Sequence, residues 1–282
     1  MTTPEIQDGY IDVNGVNYYY QLRGSGEPLL VLHGGLGQIE MFGPVLDMLA
    51  KGRQAICVDL HGHGRTSLGK RPITHIGMGD DMAVIVRELG FEQVDVFGYS
   101  MGGVVALRFA IQHPAMVRRL AVASAGYARD GFHPEMLPQQ AAVGAAMADM
   151  MKDTPMYQSY EAIAPDPSEF PALLDQMGAL MRTDFDWSDE VKTLRMPVML
   201  VFADSDMFRL EHIVDFYHIL GGGLKDAGWQ REHMPQNRLA IIPDQTHYDL
   251  FVSPRLAETV RPFLDGESNA SSWAEQVSGE AG

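Results

Sequence analysis

The sequence predicts an α/β protein built on a mostly parallel, eight-stranded sheet flanked by helices. Three observations predict it. Short continuous apolar runs recur along the chain, as strands buried on both faces require. Between several of them lie stretches with the apolar period of a helix. Such alternation of strand and helix is the pattern of a parallel or mixed sheet.

The elements follow in order. Residues 8–22 read as a hairpin: Tyr10, Ile11 and Val13 precede Asn14-Gly15, a type I′ turn signal, and Val16 with Tyr18 to Tyr20 follow. Six apolar runs supply the remaining strands: Pro28 to Leu32, Ala55 to Val58, Val94 to Phe97, Leu120 to Ala123, Val198 to Phe202 and Leu239 to Ile242. Helical periodicity covers Asp81 to Leu89, Met101 to Gln112, Phe208 to Leu220 and Pro254 to Leu264. Met101 to Gln112 is strongly apolar, as expected of a central helix packed on a sheet. The alternation breaks between Tyr127 and Val191, where no strand pattern appears. This stretch holds seven of the 18 methionines, and residues 131–190 carry eleven acids against two bases. It reads as a helical insertion sitting on the sheet. Gly221 to Trp229 reads as a flexible surface loop. Residues 266–282, rich in Gly, Ser, Ala and Glu, read as a disordered tail.

Composition narrows the function. Of 282 residues, 46% are hydrophobic and 21% charged, which excludes a wholly disordered chain. With 21 basic and 37 acidic residues the net charge is −16, and a chain this acidic repels phosphate backbones, so no nucleic-acid partner is expected. Cys57 is the only cysteine, which leaves no intrachain disulfide and no four-cysteine zinc site. It sits within an apolar run and reads as a small buried residue. The N-terminus lacks a basic segment followed by an apolar run, and no stretch of 18 apolar residues occurs. A cytoplasmic protein with no membrane partner is the expectation.

Gly98-Tyr99-Ser100-Met101-Gly102 has the G-x-S-x-G pattern. Alone the pattern is weak. Here it follows an apolar strand and opens an apolar helix, the setting in which a serine hydroxyl projects above a sheet at a helix N-terminus. A serine hydroxyl is a poor nucleophile at neutral pH and needs a base. Of ten histidines, His247 has the right chain order: it follows the last strand and the loop Pro243 to Thr246 and precedes the C-terminal helix. His33, His61 and His63 lie at strand ends and read as loop-holding residues, and the other six fall on helices or loops. An acid must orient the imidazole, and Asp204 and Asp206 compete after the strand Val198 to Phe202. Asp206 lies further into the loop, where it can turn toward a histidine; Asp204, at the strand end, suits a turn or helix cap.

With these pieces in hand, residues 1–265 resemble the α/β-hydrolase superfamily, and small microbial serine esterases and lactonases with a helical cap in particular. The resemblance rests on His33-Gly34-Gly35-Leu36-Gly37, Asp59 to Ser67, the serine turn, Ala203-Asp204-Ser205-Asp206 and Thr246-His247. It implies the α/β-hydrolase fold, with a core of 1–126 and 191–265 and a cap, 127–190, between strands 6 and 7. It implies a triad of Ser100, Asp206 and His247, with Asp206 chosen by its count from the strand end, where Ala203 replaces the family's usual glycine. It implies an oxyanion hole from the amides of Gly35 and Met101. The cap's methionines would give a soft apolar lining, and its acidity favours a neutral ester or lactone over an anion.

Epoxide hydrolases and haloalkane dehalogenases of similar layout use an aspartate where Ser100 stands. Carboxylesterases, lactonases including those that open acyl-homoserine lactones, carbon–carbon bond hydrolases and perhydrolases all keep the serine. Ligand receptors and cofactor-free oxygenases share the fold. The expected activity is hydrolysis of a small-molecule ester or lactone through an acyl-enzyme, with neither metal nor organic cofactor. The oligomeric state is left open, and so is the part played by Tyr99.

Overall fold

The computed structural model describes residues 6–267 together with Trp273 and Val277. The hairpin is β1 (Ile6–Val13) and β2 (Val16–Gly24). Its turn residues, Asn14 at φ 52° and Gly15 at φ 79°, both take the left-handed conformation that a type I′ turn requires. Then follow β3 (Glu27–Leu32), α1 (Pro44–Ala50), β4 (Arg53–Val58), α2 (His75–Glu88), β5 (Val94–Tyr99), α3 (Met101–Gln112) and β6 (Val117–Ala123). After five helical segments, α4 (Met136–Ala141), α5 (Ala148–Met151), α6 (Pro155–Ile163), α7 (Phe170–Arg182) and α8 (Ser188–Val191), the sheet resumes. It ends with β7 (Val198–Ser205), α9 (Leu210–Ile219), β8 (Arg238–Thr246) and α10 (Pro254–Leu264).

The strands form one eight-stranded sheet in the order β1-β2-β4-β3-β5-β6-β7-β8. Only β2 runs against its neighbours. Apolar residues fill both faces. Met82, Ile85 and Val86 of α2, the inner face of α3, and Ile213 and Phe216 of α9 join one core layer; Val45 and Leu49 of α1 with Leu256 and Val260 of α10 join the other. Burying each such side chain is worth about 1.5–3 kcal/mol, so the central strands need no exposed face.

Asp95 is the polar exception within β5. It is fully buried and held by Arg53 Nη1 at 2.7 Å and by Arg118 Nε and Nη2, both at 2.9 Å. This ion cluster sits near the start of β5, at the opposite end of the strand from Ser100.

Several boundaries differ from expectation. Helix α1 was not foreseen. Helix α2 begins at His75 rather than Asp81, with the Thr74 side chain accepting from Gly77 N–H as an N-cap. The segment Pro243 to Thr246, expected as a loop, is the end of β8. It stays paired because the register shifts between Ala203 and Ser205, opposite Asp244 at φ 60°. The tail expected from 266 lies, beyond 267 and apart from Trp273 and Val277, outside the described residues. Trp229 is exposed and sits edge-on to Trp273, ring centroids 5.5 Å apart. Among the described residues no helix is long and apolar enough to cross a membrane.

Candidate active site

The site is assembled at the carboxyl ends of five parallel strands, where open α/β sheets place their ligands. Ser100 lies between β5 and α3. Its backbone, φ 54° and ψ −122°, is in a region that a side chain rarely occupies. Two glycines make the turn possible. A Cβ on Gly98 would be driven into the Gly102 carbonyl, and one on Gly102 into the carbonyls of Leu32 and His33. Strand and helix therefore close tightly around the serine. Its N–H is held by the Ala123 carbonyl at 2.9 Å.

His247 follows β8, and its ring meets Ser100. Nδ1–H donates to Asp206 Oδ1 at 3.1 Å, which leaves Nε2 to accept from the Ser100 hydroxyl at 3.0 Å. The Asp206 side chain is 1% exposed and that of His247 7%. Asp206 follows β7 and accepts three further hydrogen bonds: from Met207 N–H at 2.8 Å, Ala203 N–H at 3.1 Å and the Ser124 hydroxyl at 2.5 Å. Asp204 points elsewhere. Its exposed carboxylate takes the amides of Asp244 at 3.0 Å and Gln245 at 3.3 Å, and these donors hold its pKa below the usual range. It pins the irregular end of β8 to β7, rather than capping a helix.

Gly35 and Met101 lie side by side: a Cβ on Gly35 would be 3.8 Å from the Met101 side chain. Among the described residues neither N–H donates to a backbone carbonyl. Met101 N–H is the first of α3, with no acceptor inside the helix. The loop of Gly35 is held by His33, whose Nδ1–H donates to the Gly34 carbonyl at 2.7 Å and whose Nε2 accepts from Leu60 N–H at 2.9 Å. Burial pushes the His33 pKa down to about 3, so the ring is neutral, as this donor–acceptor pairing demands. His61 and His63, also buried and lowered to about 4, bond the carbonyls of Leu68 (2.6 Å) and His61 (2.8 Å).

Three side chains that sequence reasoning left without a part belong here. Tyr99 donates its hydroxyl to the His247 carbonyl and packs its ring against Phe251, so it holds the histidine loop. Ser124, after β6 at φ 48°, fixes Asp206. Its chain distance from Asp206 gave no signal beforehand. His75 lines the cavity described next.

Above Ser100 opens a cavity of about 910 Å³. Ser100, His247, Gly35 and Met101 lie along it, and six of the seven methionines between α4 and α8 line it: Met136, Met147, Met151, Met156, Met177 and Met181. Met150 is the one of that set that does not line it; it faces solvent, and Met156 is partly exposed as well. Among the described residues no group of three His, Cys, Asp or Glu side chains could hold a metal ion.

Comparison with known proteins agrees with this architecture. Residues 27–153 match the family model described as the alpha/beta hydrolase fold. A stretch of 117 residues is 36% identical to the uncharacterized hydrolase YraK of Bacillus subtilis, covering 40% of this chain and 42% of that protein. The chain thus matches less than half the length of this curated relative. Carboxylesterase CesB of Bacillus subtilis superposes with a TM-score of 0.71 at 20% identity, over 94% of this chain and 93% of its own. The enol-lactonase of Burkholderia xenovorans LB400 superposes with a TM-score of 0.67 at 18% identity, over 91% and 100%. With its sheet order, its strained serine turn and these likenesses, the chain has the α/β-hydrolase fold.

Proposed function

We propose that the protein is a serine hydrolase that cleaves a neutral carboxylic ester or lactone through an acyl-enzyme. One observation carries this: the continuous hydrogen-bonded line from Ser100 Oγ through His247 to Asp206, lying along a large apolar cavity. Ser100 Oγ attacks the carbonyl carbon while His247 Nε2 takes its proton. The negative oxygen forms beside the amides of Gly35 and Met101, whose removal would cost about 10²–10³ in rate. The tetrahedral adduct collapses, and His247 returns the proton to the departing alkoxide. For a lactone that alcohol stays tethered to the acyl group. Water, deprotonated by His247, then attacks the acyl-Ser100 ester and frees the acid. Asp206 holds the imidazole tautomer and stabilises the imidazolium. Residues 127–190 act as a cap that keeps water from the acyl-enzyme and shapes the pocket.

Ser100 separates this reading from epoxide hydrolysis and dehalogenation, which in similar proteins run on an aspartate. The test is release of p-nitrophenol from p-nitrophenyl butyrate by wild type and by Ser100→Ala. Turnover by wild type with a loss of up to ~10⁶ in the variant is expected. Equal turnover by both would remove Ser100 from the mechanism. No turnover by either would favour a receptor or oxygenase.

A further inference from the structure

We infer that the substrate carries, on its apolar part away from the bond being cleaved, one uncharged hydrogen-bonding group that docks on His75. The inference rests on the ester-hydrolase reading and deepens it.

His75 opens α2 and lines the same cavity as Ser100. Its ring packs against a pair of aromatic rings that lie on each other, edge-on to Phe185 at 5.6 Å and to Trp187 at 5.8 Å. These contacts fix the ring plane. Neither ring nitrogen has a hydrogen-bond partner among the described residues. Burial, with Arg108 nearby, lowers the His75 pKa to about 4, so at neutral pH the ring offers one N–H and one bare nitrogen.

The other polar groups on the wall are mostly engaged. Tyr99 is given to the His247 carbonyl, Ser124 to Asp206, Ser159 to the Met156 carbonyl, and Arg129 to the Met181 carbonyl and Asp184. Gln38 and Gln140 keep unbonded amides, but no ring contact holds them, and ordering such long side chains costs entropy. The Tyr248 hydroxyl, on a ring edge-on to His247 at 5.6 Å, belongs to the reacting end of the cavity. His75 is therefore the preoriented, unengaged polar point on the rest of the wall. A purely hydrocarbon substrate would strip water from both nitrogens and return no hydrogen bond, which weakens its binding. A substrate with one carbonyl, hydroxyl or amide at the right depth avoids it. A charged group there would be desolvated against methionine and aromatic side chains, so the group is neutral.

The experiment compares kcat/KM for p-nitrophenyl alkanoates of six to ten carbons with counterparts bearing a chain ketone at each position from C5 onward. Wild type should prefer one ketone position over the plain chain by about tenfold, the worth of one hydrogen bond. His75→Phe keeps a ring against Phe185 and Trp187 and removes both nitrogens, so this preference should vanish. His75→Leu repeats the test should the larger ring misfold. His75→Gln should retain part of it. Ser100-dependent turnover with no ketone preference, or with one that survives both His75→Phe and His75→Leu, overturns the inference and leaves the hydrolase reading standing. Absence of turnover on every ester removes both.

Discussion

The floor and the roof of the cavity are built on opposite principles. On the floor, polar groups are pinned. Asp206 accepts four hydrogen bonds, His247 is held at both nitrogens and at its carbonyl, and Ser100 sits in a backbone conformation that two glycines make room for. The roof meets the cavity with six methionines and few polar bonds. Methionine has three rotatable bonds and a polarizable sulfur, so such a wall yields to what enters it. Rate depends on placing atoms to within a fraction of an ångström, whereas binding an apolar group depends on filling space. On the proposed hydrolase reading, the two halves of the site divide these demands between them.

Changes to the floor should break this contrast most. Asp206→Asn removes the carboxylate that sets the His247 tautomer and should lower kcat by about 10⁴ with p-nitrophenyl butyrate. Asp204→Asn, altering only the anchor of β8, should leave kcat within about tenfold of wild type, since its bonds are exposed. The reverse ranking would transfer the acid role to Asp204.

Acid should also attack the floor. His33, His61 and His63 stay neutral in the folded chain down to about pH 3–4, while in the unfolded chain each takes a proton near 6.5. Lowering the pH through that window therefore stabilises the unfolded state. Stability is full above about pH 6.5 and declines as the pH falls toward 4. Asp59 works the other way: burial raises its pKa from 3.8 to about 6, so its protonation offsets part of the loss. Three imidazoles outweigh one carboxyl. Thermal unfolding followed by circular dichroism should show the midpoint lower by roughly 5 °C or more at pH 5 than at pH 7. A flat profile would mean these rings do not stay neutral.

Ser124→Ala should have a smaller effect. It removes one of four donors to Asp206, worth about 1 kcal/mol, and should lower kcat about fivefold with KM unchanged. A change confined to KM would assign Ser124 to substrate contact instead. Least of all, Met177→Leu on the roof should cost under about 1.5 kcal/mol of stability, measured by denaturant titration, and alter which acyl length is preferred. A loss of turnover on every ester would show the roof to be as exacting as the floor.

Much of this contrast was legible in the chain. The central strands announced themselves because burial on both faces forces unbroken apolar runs, and the hairpin because Asn14-Gly15 suits only one kind of turn. Ser100, Asp206 and His247 were expected together, and the His247 side chain lies within hydrogen-bond distance of the other two. Short α1 escaped notice because seven residues show too little period. The start of α2 was hidden by Gly77 and Gly79, poor helix formers; the second is needed where α2 lies against the backbone of Arg108 and Phe109. The end of β8 was hidden by Pro243 and Asp244, residues that suit turns as well as a bulge. Ser124, Tyr99 and His75 could not be found from local pattern, because what each does depends on a partner brought near only by the fold.

The methionine roof has a consequence for descent. Substitutions among flexible apolar side chains cost little stability and leave the pinned floor untouched. If the chain is the ester hydrolase proposed above, its lineage can therefore move from one acyl or alcohol group to another by single point mutations in the roof, each intermediate still folded and still active.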